Sequence, residues 1–153
     1  MSTKAIQFLK KRAALFEIIK YEHKEKGAEY AAGSIGYPLE KTIKTLVAEI
    51  GQTQYAIALM PGNKKLDVKK LASACRTKRA AMVDRDTAER LTGYLVGGIS
   101  PFGLKRSLPS IMDESIMHHD AVIINGGQRG TMLKMKPADI AGLLACKITD
   151  IAR

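Results

Sequence analysis

Four glycines between residues 93 and 103 constrain this chain more than any other feature. The stretch reads Gly93-Tyr94-Leu95-Val96-Gly97-Gly98-Ile99-Ser100-Pro101-Phe102-Gly103. Glycine accepts positive φ and lets other groups come close, and proline fixes a local bend, so this backbone must turn tightly. A solvent-facing linker has no need of Tyr94, Leu95, Val96, Ile99 and Phe102 between its glycines. The stretch therefore reads as an apolar, glycine-shaped wall of a pocket, with a tight sheet corner as the alternative.

A chain of 153 residues with 46% hydrophobic content is long enough to bury a core as one domain, residues 1–153, without a metal or disulfide. Cys75 and Cys146 stand far apart with no CxxC spacing, so they read as reduced thiols. Residues 5–12 are amphipathic and charged rather than signal-like, and no apolar run approaches the roughly 18 residues of a membrane span. A cytoplasmic location is expected. Lys and Arg number 25 against 15 Asp and Glu, a net charge of +10, which suits a phosphate backbone as partner or, equally, a solubilising surface.

Along the chain, residues 3–14 have helical periodicity behind a Ser2 or Thr3 cap, and residues 16–21 alternate as a strand. A polar bridge leads to a short helix over 29–35, ended by Gly36 and Pro38. The strand expected over 42–50 places Lys44 on the same face as Leu46, Ala48 and Ile50, where a lysine is either at a pocket mouth or snorkelling from the strand end. Residues 54–60 form its antiparallel return. A helix over 67–75, a strand over 80–83 and a helix over 86–91 lead into the glycine-rich stretch. Residues 106–112 are extended, and 113–120 are polar with paired histidines. A strand over 121–124 turns through Asn125-Gly126-Gly127-Gln128-Arg129-Gly130 into its return over 131–136, followed by a helix opened by Pro137 and an edge strand over 147–151. The expected fold is α+β: one domain with a curved, largely antiparallel, barrel-like mixed sheet flanked by helices.

No nucleophile is legible. His23, His118 and His119 have no triad partner, the adjacent pair points to opposite faces if extended and so makes a poor metal site, and no GxSxG, GxGxxG or GxxxxGK[ST] is present. No cofactor is expected. What remains is Lys44, the glycine-rich wall and the turn 125–130. Backbone N–H groups at Gly97 and Gly98 are candidate donors to a carbonyl or oxyanion, and Lys44 is a candidate to hold a phosphate or carboxyl oxygen or polarise a carbonyl.

Lys44-Thr45-Leu46-Val47, the whole 93–103 stretch and Gly126-Gly127-Gln128-Arg129-Gly130 resemble the YbaK/EbsC family, free-standing Cys-tRNA(Pro) deacylases related to the editing insertion domain of prolyl-tRNA synthetase. The likeness runs from Tyr21-Glu22-His23 to Asp150-Ile151-Ala152-Arg153. It implies removal of cysteine from tRNA(Pro), with the substrate's own thiol attacking the ester, which accounts for the missing nucleophile. It implies Lys44 and Gly97 as catalytic residues, Gly97 to Pro101 matching the family's GxxxP loop. It further implies Tyr21, Tyr30, Thr45, Gly98, Ile99, Ser100, Pro101, Asn125, Gly126 and Gly127 as substrate-binding residues. The acceptor end of aminoacyl-tRNA is the implied partner, with prolyl-tRNA synthetase in a ternary complex as a further expectation. Two positions depart from the family: Asn125 stands where relatives often carry Ser, and Met132 where they carry Asp, which leaves open a deacylase for another pair such as Ala-tRNA(Pro). A non-catalytic tRNA-binding module is the third reading.

Overall fold

The structure, a computed structural model, describes residues 2–153. Helix α1 (Lys4–Lys11) starts at Thr3, whose hydroxyl accepts from Ile6 N–H at 3.1 Å and so occupies one of the donors every helix start leaves over. Strand β1 (Glu17–Lys20) follows, then α2 (Ala28–Ile35), which ends at Gly36 in the left-handed region. The long hairpin β2 (Thr42–Ile50) and β3 (Tyr55–Pro61) is the centre of the sheet. Helix α3 (Val68–Ala74), capped by Asp67, strand β4 (Ala80–Met82) and helix α4 (Arg85–Thr92) complete the middle of the chain. Beyond the glycine-rich stretch come β5 (Ser110–Asp113), β6 (Val122–Asn125), β7 (Thr131–Met135), α5 (Pro137–Leu144) and β8 (Lys147–Thr149). The polar, histidine-bearing stretch after β5 is a short 3-10 helix, Glu114–His118, held by the fully buried Ile116.

The sheet order is β1-β7-β6-β2-β3-β5-β8, with β4 added to β2. Antiparallel pairings join β1 to β7, β7 to β6, β2 to β3 and β2 to β4; parallel ones join β2 to β6, β3 to β5 and β5 to β8. The expected α+β fold with a mixed sheet is present. Strands β1 and β8 lie at opposite ends of the order, so the sheet stays open and is not a closed barrel.

The period-two alternation of β2 divides its side chains between two cores. Ile43 and Val47 join Ile57, Leu59, Ile124 and Leu133 under α1, α4 and α5, with Phe102 fully buried among them. Ala48 and Ile50 face the other way, against Leu71 of α3. A third, small cluster sets Ala31 of α2 on Ile123 and Met132. Lys44 shares the face of Ala48 and Ile50, as its spacing predicts. No helix among the described residues is long and apolar enough to cross a membrane.

Candidate active site

Strand β2 keeps one edge fully paired and leaves the other interrupted. Thr42 C=O accepts from Gly62 N–H and Ile50 N–H donates to Gln54 C=O, each at 2.8 Å, so even-numbered residues aim their backbone groups toward β3. On the opposite edge β6 pairs only with Thr42 and Ile43, and β4 only with Ala48 to Ile50. Val83 N–H, just past β4, donates to Val47 C=O at 3.2 Å. Between these two partners, running in opposite directions, Lys44 to Leu46 have no strand beside them. By the same alternation Thr45 turns its N–H and C=O into the opening. Its side-chain Oγ1 is buried with no hydrogen-bond partner.

The opening is the mouth of a cleft of about 450 Å³. Ala28 and Ala31 of α2 form one side, Met82 to Arg85 another, and Val96, Gly97 and Ile99 a third. Most of this lining is apolar, and Lys44 and Lys26 bring cationic side chains to it. Lys44 Nζ donates to Lys64 C=O at 2.7 Å. Burial pushes the Lys44 pKa down, the Glu29 carboxylate opposes that, and the Lys65 ammonium adds to it. Asp84 is the one carboxylate in the lining among the described residues, and its side chain is committed as the cap of α4, accepting from Thr87 N–H at 2.8 Å. Among the described residues, no serine, cysteine or histidine lines the cleft.

The glycine wall is laced to the turn after β6. Gly97 has φ +97° and a side chain there would begin 2.6 Å from Arg129 Nε; one at Gly98 would begin 2.8 Å from Gln128 Cα. Only glycine allows this approach. Arg129 donates through Nε and Nη2 to Val96 C=O at 3.2 and 2.9 Å, and Asn125 Nδ2 donates to Gly97 C=O at 3.1 Å. Gly98 N–H is spent on Leu95 C=O at 2.9 Å, which leaves Gly97 N–H as the uncommitted donor of the pair.

Of the residues the sequence singles out, Tyr21, Lys44, Thr45, Gly97, Ile99 and Asn125 meet in the cleft. Tyr30 stands behind Tyr21, ring centroids 6.4 Å apart. Gly98 and Gly127 open instead onto a neighbouring depression. Ser100 and Pro101 are buried beneath the wall, Ser100 Oγ accepting from Phe102 N–H at 3.3 Å. Gly126 packs against Leu133, and its C=O accepts from the Thr3 hydroxyl. Met132, the second departure from the family pattern, does line the cleft. Sequence reasoning missed Lys26 and the segment 82–85. Nothing in their own spacing marks them; the place of 82–85 depends on β4 sharing an edge of β2 with β6, and Lys26 reaches the cleft from the loop before α2.

Residues 23–143 match the model of the aminoacyl-tRNA editing domain. The chain belongs to this family. The editing domain is 36% identical over 124 residues to EbsC of Enterococcus faecalis, by name a candidate Cys-tRNA(Pro)/Cys-tRNA(Cys) deacylase, covering 81% of this chain and 76% of that protein. It is 24% identical over 152 residues to the multifunctional Ser/Thr-tRNA deacylase ProXp-y of Escherichia coli K12, covering 97% of this chain and 90% of that one. The crystal structure of a candidate trans-editing enzyme for prolyl-tRNA synthetase superposes with a TM-score of 0.89 at 21% identity, covering 98% of this chain and 95% of that one, and shares the fold.

Proposed function

We propose that this editing domain is a free-standing deacylase that clears cysteine from mischarged tRNA(Pro). The observation that carries the reading is a cleft with Lys44, an open backbone edge at Thr45 and a free Gly97 N–H, but no activated protein nucleophile. Such a site positions an ester and stabilises developing charge on its carbonyl oxygen. The cysteine thiol then supplies the attack: sulfur bonds to the carbonyl carbon, the bond to the ribose oxygen breaks, and that oxygen leaves with the thiol proton. Cysteine departs as a cyclic thioester, which water opens. In this scheme Lys44 exchanges Lys64 C=O for the substrate's carbonyl or phosphate oxygen, and Gly97 and Ile99 of the wall fix the ester, with Ser100 and Pro101 supporting them from beneath.

Lys26, Lys64, Lys65 and Arg85 around the cleft give the net charge of +10 a role as landing surface for the acceptor end, held through its phosphates. Contacts of that kind carry no sequence information, so a partner that reads the tRNA, prolyl-tRNA synthetase, completes the proposal. Pull-down of the synthetase with and without tRNA tests that part.

A panel of Cys-, Ser- and Ala-tRNA(Pro) at equal enzyme tests the chemistry. Release confined to cysteine supports cyclisation. Equal release from seryl ester, the substrate class in the name of ProXp-y, replaces it with attack by water. Binding without turnover across the panel removes the deacylase reading.

A further inference from the structure

The Lys44 ammonium rests on a single peptide group, and a distant segment of the chain sets how that group is turned. Lys64 C=O, which accepts from Lys44 Nζ at 2.7 Å, belongs to the same planar unit as Lys65 N–H. Among the described residues every peptide bond is trans, so the two groups point in opposite directions. Lys65 N–H donates to Arg153 C=O at 3.4 Å, and Arg153 N–H returns a bond to Lys65 C=O at 2.9 Å. One rigid unit therefore has residues 151–153 on one side and Lys44 on the other.

The loop that carries this unit has little else to hold it. Asn63, Lys64 and Lys65 are exposed. Lys64 N–H donates back to Pro61 C=O at 3.1 Å, and from there to α3 the backbone pairs with residues 151–153: Leu66 bridges Ala152, and Asp67 N–H donates to Ile151 C=O at 2.8 Å. Residues 151–153 are in turn fixed from two directions. Ile151 is fully buried, and its N–H donates at 3.0 Å to Oδ1 of Asp113, a carboxylate 1% exposed at the end of β5. Lys70 Nζ on α3 donates to Ala152 C=O and to Asp150 Oδ2, each at 2.8 Å. Neither Asp113 nor Lys70 lines the cleft.

We propose that residues 150–153 are a latch on the reaction: they hold the Lys64–Lys65 peptide so that its carbonyl retains the Lys44 ammonium in the substrate-free protein, with Asp113 and Lys70 as positioning residues. The inference rests on the deacylase reading, in which Lys44 leaves Lys64 C=O for an oxygen of the substrate. A contact made before that exchange and absent after it stabilises the free protein alone, so it raises the barrier. Hydrogen bonds in series polarise one another, so the bond from Lys65 N–H to Arg153 C=O strengthens Lys64 C=O as an acceptor. Loosening the latch should therefore speed the reaction, a result that loss of folded protein cannot imitate.

Two substitutions at one position isolate the bond. Arg153→Pro deletes the N–H that pairs with Lys65 C=O, whereas Arg153→Ala, equally without the guanidinium, keeps it. The kcat/KM for Cys-tRNA(Pro) is expected to be about threefold higher in Arg153→Pro than in Arg153→Ala, the scale of one hydrogen bond. Water exchange of the Lys44 Nζ protons, read by NMR of 15N-labelled protein in mildly acidic solution, is expected to quicken by about the same factor. With Lys44→Ala added, the two variants should turn over equally. Should Arg153→Pro fail to fold, Lys70→Met, which removes the donor to Ala152 C=O, is compared with the unsubstituted protein instead. Unchanged or slower proton exchange, unchanged or lower kcat/KM, or a gain that survives Lys44→Ala overturns the latch. Faster proton exchange in a protein that releases no amino acid from any charged tRNA leaves the hold on Lys44 standing and removes the deacylase.

Discussion

Asn125 Nδ2 donates to Gly97 C=O at 3.1 Å while its Oδ1 accepts from Gly127 N–H at 2.8 Å, so one side chain ties the glycine wall to the turn beside it. The residue that departs from the family's usual Ser at this place therefore works on the backbone as well as lining the cleft. Asn125→Ala is expected to cost about 1 kcal/mol of stability, the worth of a typical hydrogen bond, and to lower kcat/KM by loosening Gly97. Asn125→Asp is expected to be worse, because it sets a carboxylate oxygen against Gly97 C=O. Thermal unfolding and deacylation assays on both variants check the order.

In the proposed mechanism Lys44 is the cation that faces the reacting ester. Lys44→Ala is expected to lower kcat/KM about a hundredfold, the scale of one preorganised charge-stabilising donor. The pH profile carries a second signature. Burial lowers the Lys44 pKa, so its ammonium, and with it the activity, is present at neutral pH and is lost as pH rises through a value below the ordinary lysine range. The alkaline fall should disappear from the residual rate of Lys44→Ala, measured against spontaneous ester hydrolysis.

Thr45 hides a hydroxyl without a partner. Thr45→Val keeps the shape and removes the unsatisfied group, so the free protein should gain up to about 1 kcal/mol, seen as a higher Tm. If substrate uses that hydroxyl, the same variant loses activity while gaining stability, a trade expected of a strained site.

The glycines separate into those that shape the site and those that do not. Gly97→Ala and Gly98→Ala each place a new carbon under 3 Å from the neighbouring turn, and at Gly98 the obstacle is backbone. Both should lower Tm and abolish turnover. Gly142, exposed within α5, has nothing within 4 Å of an added side chain, so Gly142→Ala should stabilise by about 0.5–1 kcal/mol with activity unchanged.

Much of this arrangement is legible in the sequence. The alternation of residues 42–50 predicts β2 end to end and puts Lys44 on its true face, and the glycines of 93–103 point to a pocket wall, with a sheet corner as the alternative that the structure removes. Asn-Gly-Gly after a Val and Ile run predicts the β6 to β7 hairpin. The cleft itself is not legible, because it arises where β6 and β4 stop short of each other on one edge of β2. Parallel pairing of distant strands follows from the packing of the whole chain, not from any local pattern. For the same reason Met82 to Arg85 look like an ordinary strand end and helix cap until β4 is docked. Ser100 and Pro101, conspicuous in sequence, prove to be buried under the wall.

A wall made of main chain offers few graded targets to point mutation: substitutions other than proline leave its peptide groups in place, and at Gly97 and Gly98 any side chain is expected to be rejected. The opposite sides of the cleft, Ala28 and Ala31 of α2 and Met82 to Arg85, are built of side chains that can change size or charge one at a time. Drift in sequence can therefore retune which amino acid fits while the groups that act on the ester are inherited unchanged.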